Sequence, residues 1–152
     1  MKKPTILARK QLASLSEADL SFVPPLLRRR LSPLQKAFFH LAHFENKPLP
    51  KRVVFASRDG EVTLTRRTVD DFTRDGTVSP ACFSSSVYNA APGLWSVFTK
   101  NTAPYTAIAA GAETVRVGLL EALLPADTPT LFVYAEETDG GHGFSFLYGF
   151  DA

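Results

Sequence analysis

Short apolar runs alternate along the chain with stretches whose apolar residues recur at helical spacing. The β-rich runs 52–57, 105–110 and 130–135 have continuous apolar centres, which is typical of buried strands covered on both faces, as in a parallel sheet. A last run, 144–150, follows the polar and glycine-rich segment 136–143. We expect this run to return antiparallel to the strand before it.

Helical signals separate these runs. Ser32 is a candidate N-cap, and Gln35 three residues later completes a capping box. The segment 62–72 carries an amphipathic pattern, and Gly76 after it is a natural stop. The segment 113–124 carries another, with Val115, Leu119, Ala122 and Leu123 expected to face inward. Asn89 is a candidate N-cap for a further helix. Because strands and helices alternate, the pattern predicts an α/β fold with a mixed, mainly parallel sheet and helices packed on its faces.

The chain's 152 residues fit one domain. We therefore predict a single domain over residues 1–152. Its first part, residues 1–31, is expected to be an irregular, basic lead with one short helix that opens within residues 16–20 and ends at Pro24 and Pro25. The segment 79–86 is expected to be a loop.

Charge is distributed unevenly, although the formal net charge is only +2. The charged residues among positions 1–30 are mostly basic, and those among positions 103–152 are mostly acidic. The run Arg28, Arg29 and Arg30 is therefore a candidate docking site for an acidic partner, and the alternative is two solvated faces of opposite sign. No aromatic residues interleave with this short run, which argues against a nucleic-acid partner.

Composition excludes several other classes of protein. A single cysteine permits neither an intrachain disulfide nor a zinc site built from paired cysteines, and it suits a reducing cytosol. No apolar stretch approaches the length of a membrane span. We therefore expect a cytoplasmic protein that binds no metal, cofactor or membrane.

Candidate nucleophiles lack the partners that catalysis needs. Cys82 could act with a base such as His40, His43 or His142, but no sequence pattern connects them, and a structural cysteine is the alternative. The glycines around His142 precede a strand, whereas a phosphate-binding loop follows one, so this segment predicts a hairpin turn.

Three stretches in order carry a family resemblance: 54–61, 78–93 and 107–124. Together they resemble β-ketoacyl synthase-like N-terminal domain proteins, the small chain-length-factor-like relatives of condensing enzymes, over roughly residues 25–136. The resemblance implies one half of a thiolase-type fold. It also implies that the two catalytic histidines belong to a second half, for which this chain has no length.

The resemblance places Ala112 at the position of the condensing-enzyme nucleophile, at the start of a buried helix. A methyl group cannot attack an acyl thioester, so we expect no catalytic residues and no enzyme activity of the family type. Tyr88 stands where many relatives have His. The same resemblance suggests interface residues on one strand, Tyr105, Thr106 and Ile108, and candidate loop or cavity residues, Ser57, Arg58, Asp59, Ser86 and Asn89.

The leading hypothesis is a non-catalytic, chain-length-factor-like accessory protein of a bacterial fatty-acid-like or polyketide-like pathway. It would pair with a ketosynthase or with itself, as a heterodimer or a homo-oligomer, and help to shape an acyl cavity. The alternative is a binding module for acyl carrier protein or acyl-CoA, docked by Arg28, Arg29 and Arg30. An enzyme that works through Cys82 is a third hypothesis.

Overall fold

A mixed five-stranded sheet forms the centre of the protein, in a computed structural model that describes residues 3–124 and 127–150. The ends of the expected 1–152 domain and residues 125–126 lie outside the described residues. The strands are β1 (Pro4–Leu12), β2 (Arg52–Ala56), β3 (Tyr105–Ile108), β4 (Thr130–Glu136) and β5 (His142–Phe150).

The strand order is β1-β5-β4-β2-β3. β2 pairs in parallel with β3 and with β4, and β5 pairs antiparallel with β4 and with β1. β5 therefore runs against the other four strands. The predicted mixed sheet and the antiparallel return of the last strand are confirmed.

Helices and short turns connect the strands. The helices are α1 (Pro25–Arg30), α2 (Pro33–Ala42), α3 (Val62–Asp75), α4 (Pro80–Ser85), α5 (Ala90–Thr99) and α6 (Thr114–Leu123). The start of α2 follows the predicted capping box: Ser32 Oγ accepts the Gln35 N–H at 3.0 Å, and the Ser32 N–H donates to Gln35 Oε1 at 3.0 Å. Two 3₁₀ turns, Leu15–Glu17 and Gly111–Glu113, complete the described structure.

Apolar side chains pack on both faces of the sheet, because successive residues of a strand point to opposite sides. On one face, Phe55 of β2 packs with α2 and α5 in a cluster that includes Phe38 and Trp95. On the other face, Val54 and Ala56 pack against α6. Helices therefore cover both faces of β2, as expected for a strand in a parallel sheet.

The prediction of an irregular lead was wrong for residues 4–12, which form β1 and pair with β5. Arg9 interrupts the apolar pattern, but β1 lies at a sheet edge, where charged side chains reach solvent. The expected helix near residue 16 is only the 3₁₀ turn, and Pro25 begins α1 instead of ending a helix. Proline is favoured at the first helical position, where its missing N–H costs no bond.

Three further expectations also differ from the structure. The segment 79–86 is mostly helix α4, because Ser79 caps it and Pro80 opens it. The strand expected to be buried, β3, pairs only with β2 among the described strands, and its residues are exposed or half-buried. α3 forms where the pattern predicted, but none of its residues is buried.

The buried stripe of α6 also differs from the expected one. Val115, Leu119 and Leu123 were expected inward together with Ala122, but the buried residues are Thr114, Gly118 and Ala122. A Cβ at Gly118 would lie 2.8 Å from the Ala56 Cβ. Small residues on this face therefore allow α6 to lie close against the sheet.

No helix in residues 3–124 and 127–150 is both long enough and apolar enough to span a bilayer.

Candidate functional site

The loop that follows β2 is fixed by a carboxylate at the end of β4. Glu136 Oε2 accepts the Ser57 hydroxyl at 3.0 Å and the Asp59 N–H at 3.2 Å, and Glu136 Oε1 accepts the Arg58 N–H. β2 and β4 are parallel neighbours, so their carboxyl ends meet at the same edge of the sheet. Three of the predicted loop residues, Ser57, Arg58 and Asp59, therefore surround one buried acidic group.

Tyr88 connects this loop to the segment before α5. Its hydroxyl donates to the Arg58 carbonyl oxygen at 2.8 Å. A Cβ at Gly60, which has φ +64°, would lie 2.9 Å from the Tyr88 ring. Glycine is therefore required here both by the left-handed backbone and by the close approach of the ring.

Two other predicted loop residues, Ser86 and Asn89, flank Tyr88 without joining the carboxylate. Ser86 Oγ donates to the Phe83 carbonyl oxygen at 2.8 Å at the end of α4. Asn89 is exposed and precedes α5, but its side chain makes no capping hydrogen bond. The predicted helix start is correct, while the predicted capping bond is not.

Ala112 lies in the exposed 3₁₀ turn between β3 and α6. Thr114 holds this turn, since its hydroxyl donates to the Gly111 carbonyl oxygen at 2.7 Å and accepts the Ala110 N–H at 2.9 Å. The position thus lies two residues before the first residue of α6. Its side chain is a methyl group, which offers neither a nucleophile nor a proton.

Sequence reasoning missed two buried carboxylates in this region, Glu61 and Glu136, each only 2% exposed. Gln35 Nε2 donates to Glu61 Oε1 at 2.9 Å. Burial raises the pKa of Glu61 to about 7. The one available signal for Glu136 was its position at the end of an apolar strand, beside the end of a parallel neighbour.

The structure does not bring Cys82 together with a base. Its Sγ lies 3.3 Å from Thr68 Oγ1, and the thiol is half-buried between α3 and α4. Among the described residues no histidine is hydrogen-bonded to it: His40 accepts a backbone N–H, His43 stacks on an aromatic ring, and His142 lies at the start of β5. This geometry favours a structural cysteine.

The three arginines of the basic run differ in their surroundings. Arg28 is half-buried, and its Nη2 donates to the Val23 carbonyl oxygen at 3.0 Å. Arg29 and Arg30 are exposed in the last turn of α1. Arg29 and Arg30 are therefore the two that can meet a partner without breaking an existing bond.

The predicted interface residues lie on β3, at one edge of the sheet. Tyr105 is 38% exposed, Thr106 is exposed and Ile108 is half-buried. The edge of β3 that faces away from β2 has no strand beside it within the described residues. An unpaired edge with exposed side chains is a surface onto which another chain can pair.

Apolar side chains on the outer side of α6 are also exposed. Leu120 is 51% exposed, Leu123 is 48% exposed, and Leu124, just after the helix, is 73% exposed. Large exposed apolar side chains that lie together commonly mark contact surfaces.

Comparison with solved structures finds the same fold in a ketosynthase assembly. The similar chain belongs to the complex of the ketosynthase ApeO with its chain length factor ApeC from Xenorhabdus doucetiae. The TM-score is 0.75 and the sequence identity 22% over 90% of this chain. The present chain spans 64% of the length of that chain. The likeness confirms the thiolase-like half that the resemblance implied.

Comparison of the sequence gives the family. Among proteins with curated descriptions, none matches this chain. The family profile described as the N-terminal domain of β-ketoacyl synthase matches residues 5–139, which cover most of the sequence. The chain therefore belongs to the β-ketoacyl synthase N-terminal domain family.

Proposed function

We propose that this protein is a non-catalytic, chain-length-factor-like partner of a ketosynthase in a cytoplasmic fatty-acid-like or polyketide-like pathway. The observation that carries the proposal is the methyl side chain of Ala112 in the turn between β3 and α6, where the family resemblance puts the nucleophile. A chain without that nucleophile can contribute structure to a condensing complex but cannot carry the acyl chain covalently at this position. The ketosynthase–chain length factor complex with a similar fold supports this assignment.

The edge of β3 is the proposed contact surface. Its backbone is paired on one side only among residues 3–124 and 127–150, and Tyr105 and Thr106 are exposed there. Pairing two edge strands satisfies backbone groups on both chains without requiring a large apolar patch. The exposed leucines at the end of α6 are a further apolar surface that a partner could cover.

The experiment is a mass measurement of the assembled complex. The protein is mixed with the ketosynthase of the same organism, and the native mass is measured by light scattering after size exclusion. We expect a complex with the wild-type chain and none with Thr106→Asp, because a carboxylate buried in the proposed interface would be desolvated without a partner. The matched control is Thr77→Asp, at an exposed position outside the strands. A folded Thr106→Asp protein that gives the same complex would contradict the proposed interface.

A second candidate function is docking of an acidic acyl carrier protein. The exposed side chains of Arg29 and Arg30 favour it, since they are adjacent cations in the last turn of one helix. We expect binding to weaken as salt is raised and to be lost when both are replaced by alanine. Binding that is independent of salt, or that survives the double replacement, would exclude this candidate and leave the ketosynthase pairing untouched.

A further inference from the structure

An aromatic-walled cavity of about 360 Å³ lies at the opposite end of the parallel strands from Glu136. Its lining includes Pro50, just before β2, together with Leu131 near the start of β4 and Thr99 at the end of α5. It therefore opens at the amino ends of β2 and β4, away from the loop after β2 and from Ala112. Its volume falls within the range of about 300–1,000 Å³ that is usual for small-molecule sites.

The wall of this cavity is mainly aromatic and aliphatic. The Phe22, Trp95 and Phe98 rings form one part of it, with centroid separations of 5.8 to 6.2 Å between neighbouring rings. Leu131 and Leu147 of the sheet form another part. Binding an alkyl or aryl group against this wall is favourable, because the apolar surfaces of both the wall and the group are removed from water.

One cation lines the cavity, and no anion does. Lys47 is the only Lys or Arg among the described lining residues, and none of them is Asp or Glu. His43 also contributes to the lining and stacks on Phe22, with ring centroids 3.8 Å apart. Burial, and then the positive charge of Lys10, lower the pKa of His43, so its imidazole is neutral at pH 7.

The indole of Trp95 carries a buried hydrogen-bond donor. The residue is 3% exposed, and its Nε1–H has no partner in the described part of the chain. Buried donors without partners are uncommon in folded proteins.

We propose that this cavity binds a medium-chain carboxylate, with its hydrocarbon part against the aromatic wall and its carboxylate toward Lys47. The wall is apolar and the lining's formal charge is a single positive one, so an apolar monoanion matches both features. An amphiphile of the same length with a positive headgroup would gain the same apolar contacts but would be repelled by Lys47. The cavity therefore selects by headgroup charge as well as by shape.

Fluorescence offers a direct test, because Trp95 is the single tryptophan of the chain. The purified chain alone is titrated with octanoate and, separately, with octylamine, while the indole emission is recorded. We expect a saturable change with octanoate and binding at least about fivefold weaker for octylamine, as one exposed charge contact can supply.

Two variants complete the test. Lys47→Glu reverses the charge at the cavity, and it should weaken octanoate binding by about fivefold or more. Lys51→Glu is the matched control, since Lys51 is exposed, lies four positions along the same segment and does not line the cavity. It should bind octanoate as the wild type does.

Absence of a saturable octanoate signal would overturn the proposal. Equal binding of octanoate by wild type and Lys47→Glu would overturn it as well, because the carboxylate would then not face Lys47. Neither result depends on pairing with a ketosynthase, which the titration does not include.

Discussion

The buried carboxyl of Glu61 should make the stability of this protein depend on pH near neutrality. Glu61 is 2% exposed, Gln35 donates to its Oε1, and its Oε2 has no hydrogen-bond partner within the described residues. Burial raises its pKa from 4.5 to about 7, and the charge of Glu137 adds to the shift. The polar side chains of Ser32 and Gln35 act in the opposite direction.

The direction of this pH dependence follows from whether the folded or the unfolded chain holds the proton more tightly. The pKa of Glu61 is higher in the folded chain, so the folded chain is favoured by protonation. This contribution is fully present below pH 4.5 and is lost as the pH rises to about 7. At about 1.4 kcal/mol per pKa unit, the loss amounts to about 3 kcal/mol.

Glu61→Gln removes the ionisable group and keeps an oxygen that can accept the hydrogen bond from Gln35. Its side-chain NH₂ adds a cost or a gain that does not depend on pH. We therefore expect the free energy of unfolding of the variant, relative to wild type, to rise by about 3 kcal/mol between pH 4.5 and pH 8. Urea denaturation at several pH values between these limits measures the difference directly.

A control variant removes an exposed carboxyl instead. Glu17→Gln lies on the surface, so its stability difference from wild type should stay nearly constant over the same pH range. A constant difference for Glu61→Gln would refute the reasoning, because it would mean that the Glu61 carboxyl titrates alike in the folded and unfolded chains.

Two further substitutions test the site loop and the packing of α6. Glu136→Gln replaces an acceptor oxygen by a donor. The amides of residues 58–59 should therefore exchange hydrogen at least about fivefold faster, and the protein should lose about 1–3 kcal/mol of stability. Unchanged exchange would show that this carboxylate does not hold the loop. Gly118→Ala should lower the melting temperature, since the new Cβ would lie 2.9 Å from a Phe132 ring carbon. The resulting overpacking costs about 1–3 kcal/mol, which outweighs the gain of about 1 kcal/mol in helix propensity. A raised melting temperature for Gly118→Ala would contradict this view of the interface.

Local signals in the sequence were sufficient where one short segment decides the structure. The Ser32–Gln35 capping box depends on atoms three residues apart, and both of its hydrogen bonds form as predicted. Gly76 ends α3 with φ +68°, which glycine adopts without strain. The hairpin at residues 136–143 follows from its glycines in the same way.

Which strand lies at the edge of the sheet, and which helix face is buried, could not be predicted from local signals. The run 105–110 has the apolar pattern of a buried strand, yet β3 lies at the sheet edge because no further strand pairs beside it in the described structure. The stripe of α3 at Val69 and Phe72 is amphipathic, yet those side chains are 57% and 59% exposed. A hydrophobic pattern states which residues would be favourable to bury, whereas the rest of the chain decides what is available to cover them.

In the candidate site, too, some features follow from local sequence signals and others from tertiary contacts. The turn that holds Ala112 and the loop 57–59 were located from the sequence, through strand and helix signals and the family resemblance. Glu136 was not, because its role depends on β4 lying beside β2, a pairing of residues about 80 positions apart. The sequence by itself determined the strands β2 to β5, the starts of α2 and α5, and the family. Only the tertiary structure decided which strand lies at an edge, which carboxylates are buried and which side chains surround a cavity, since these depend on contacts between segments distant in the chain.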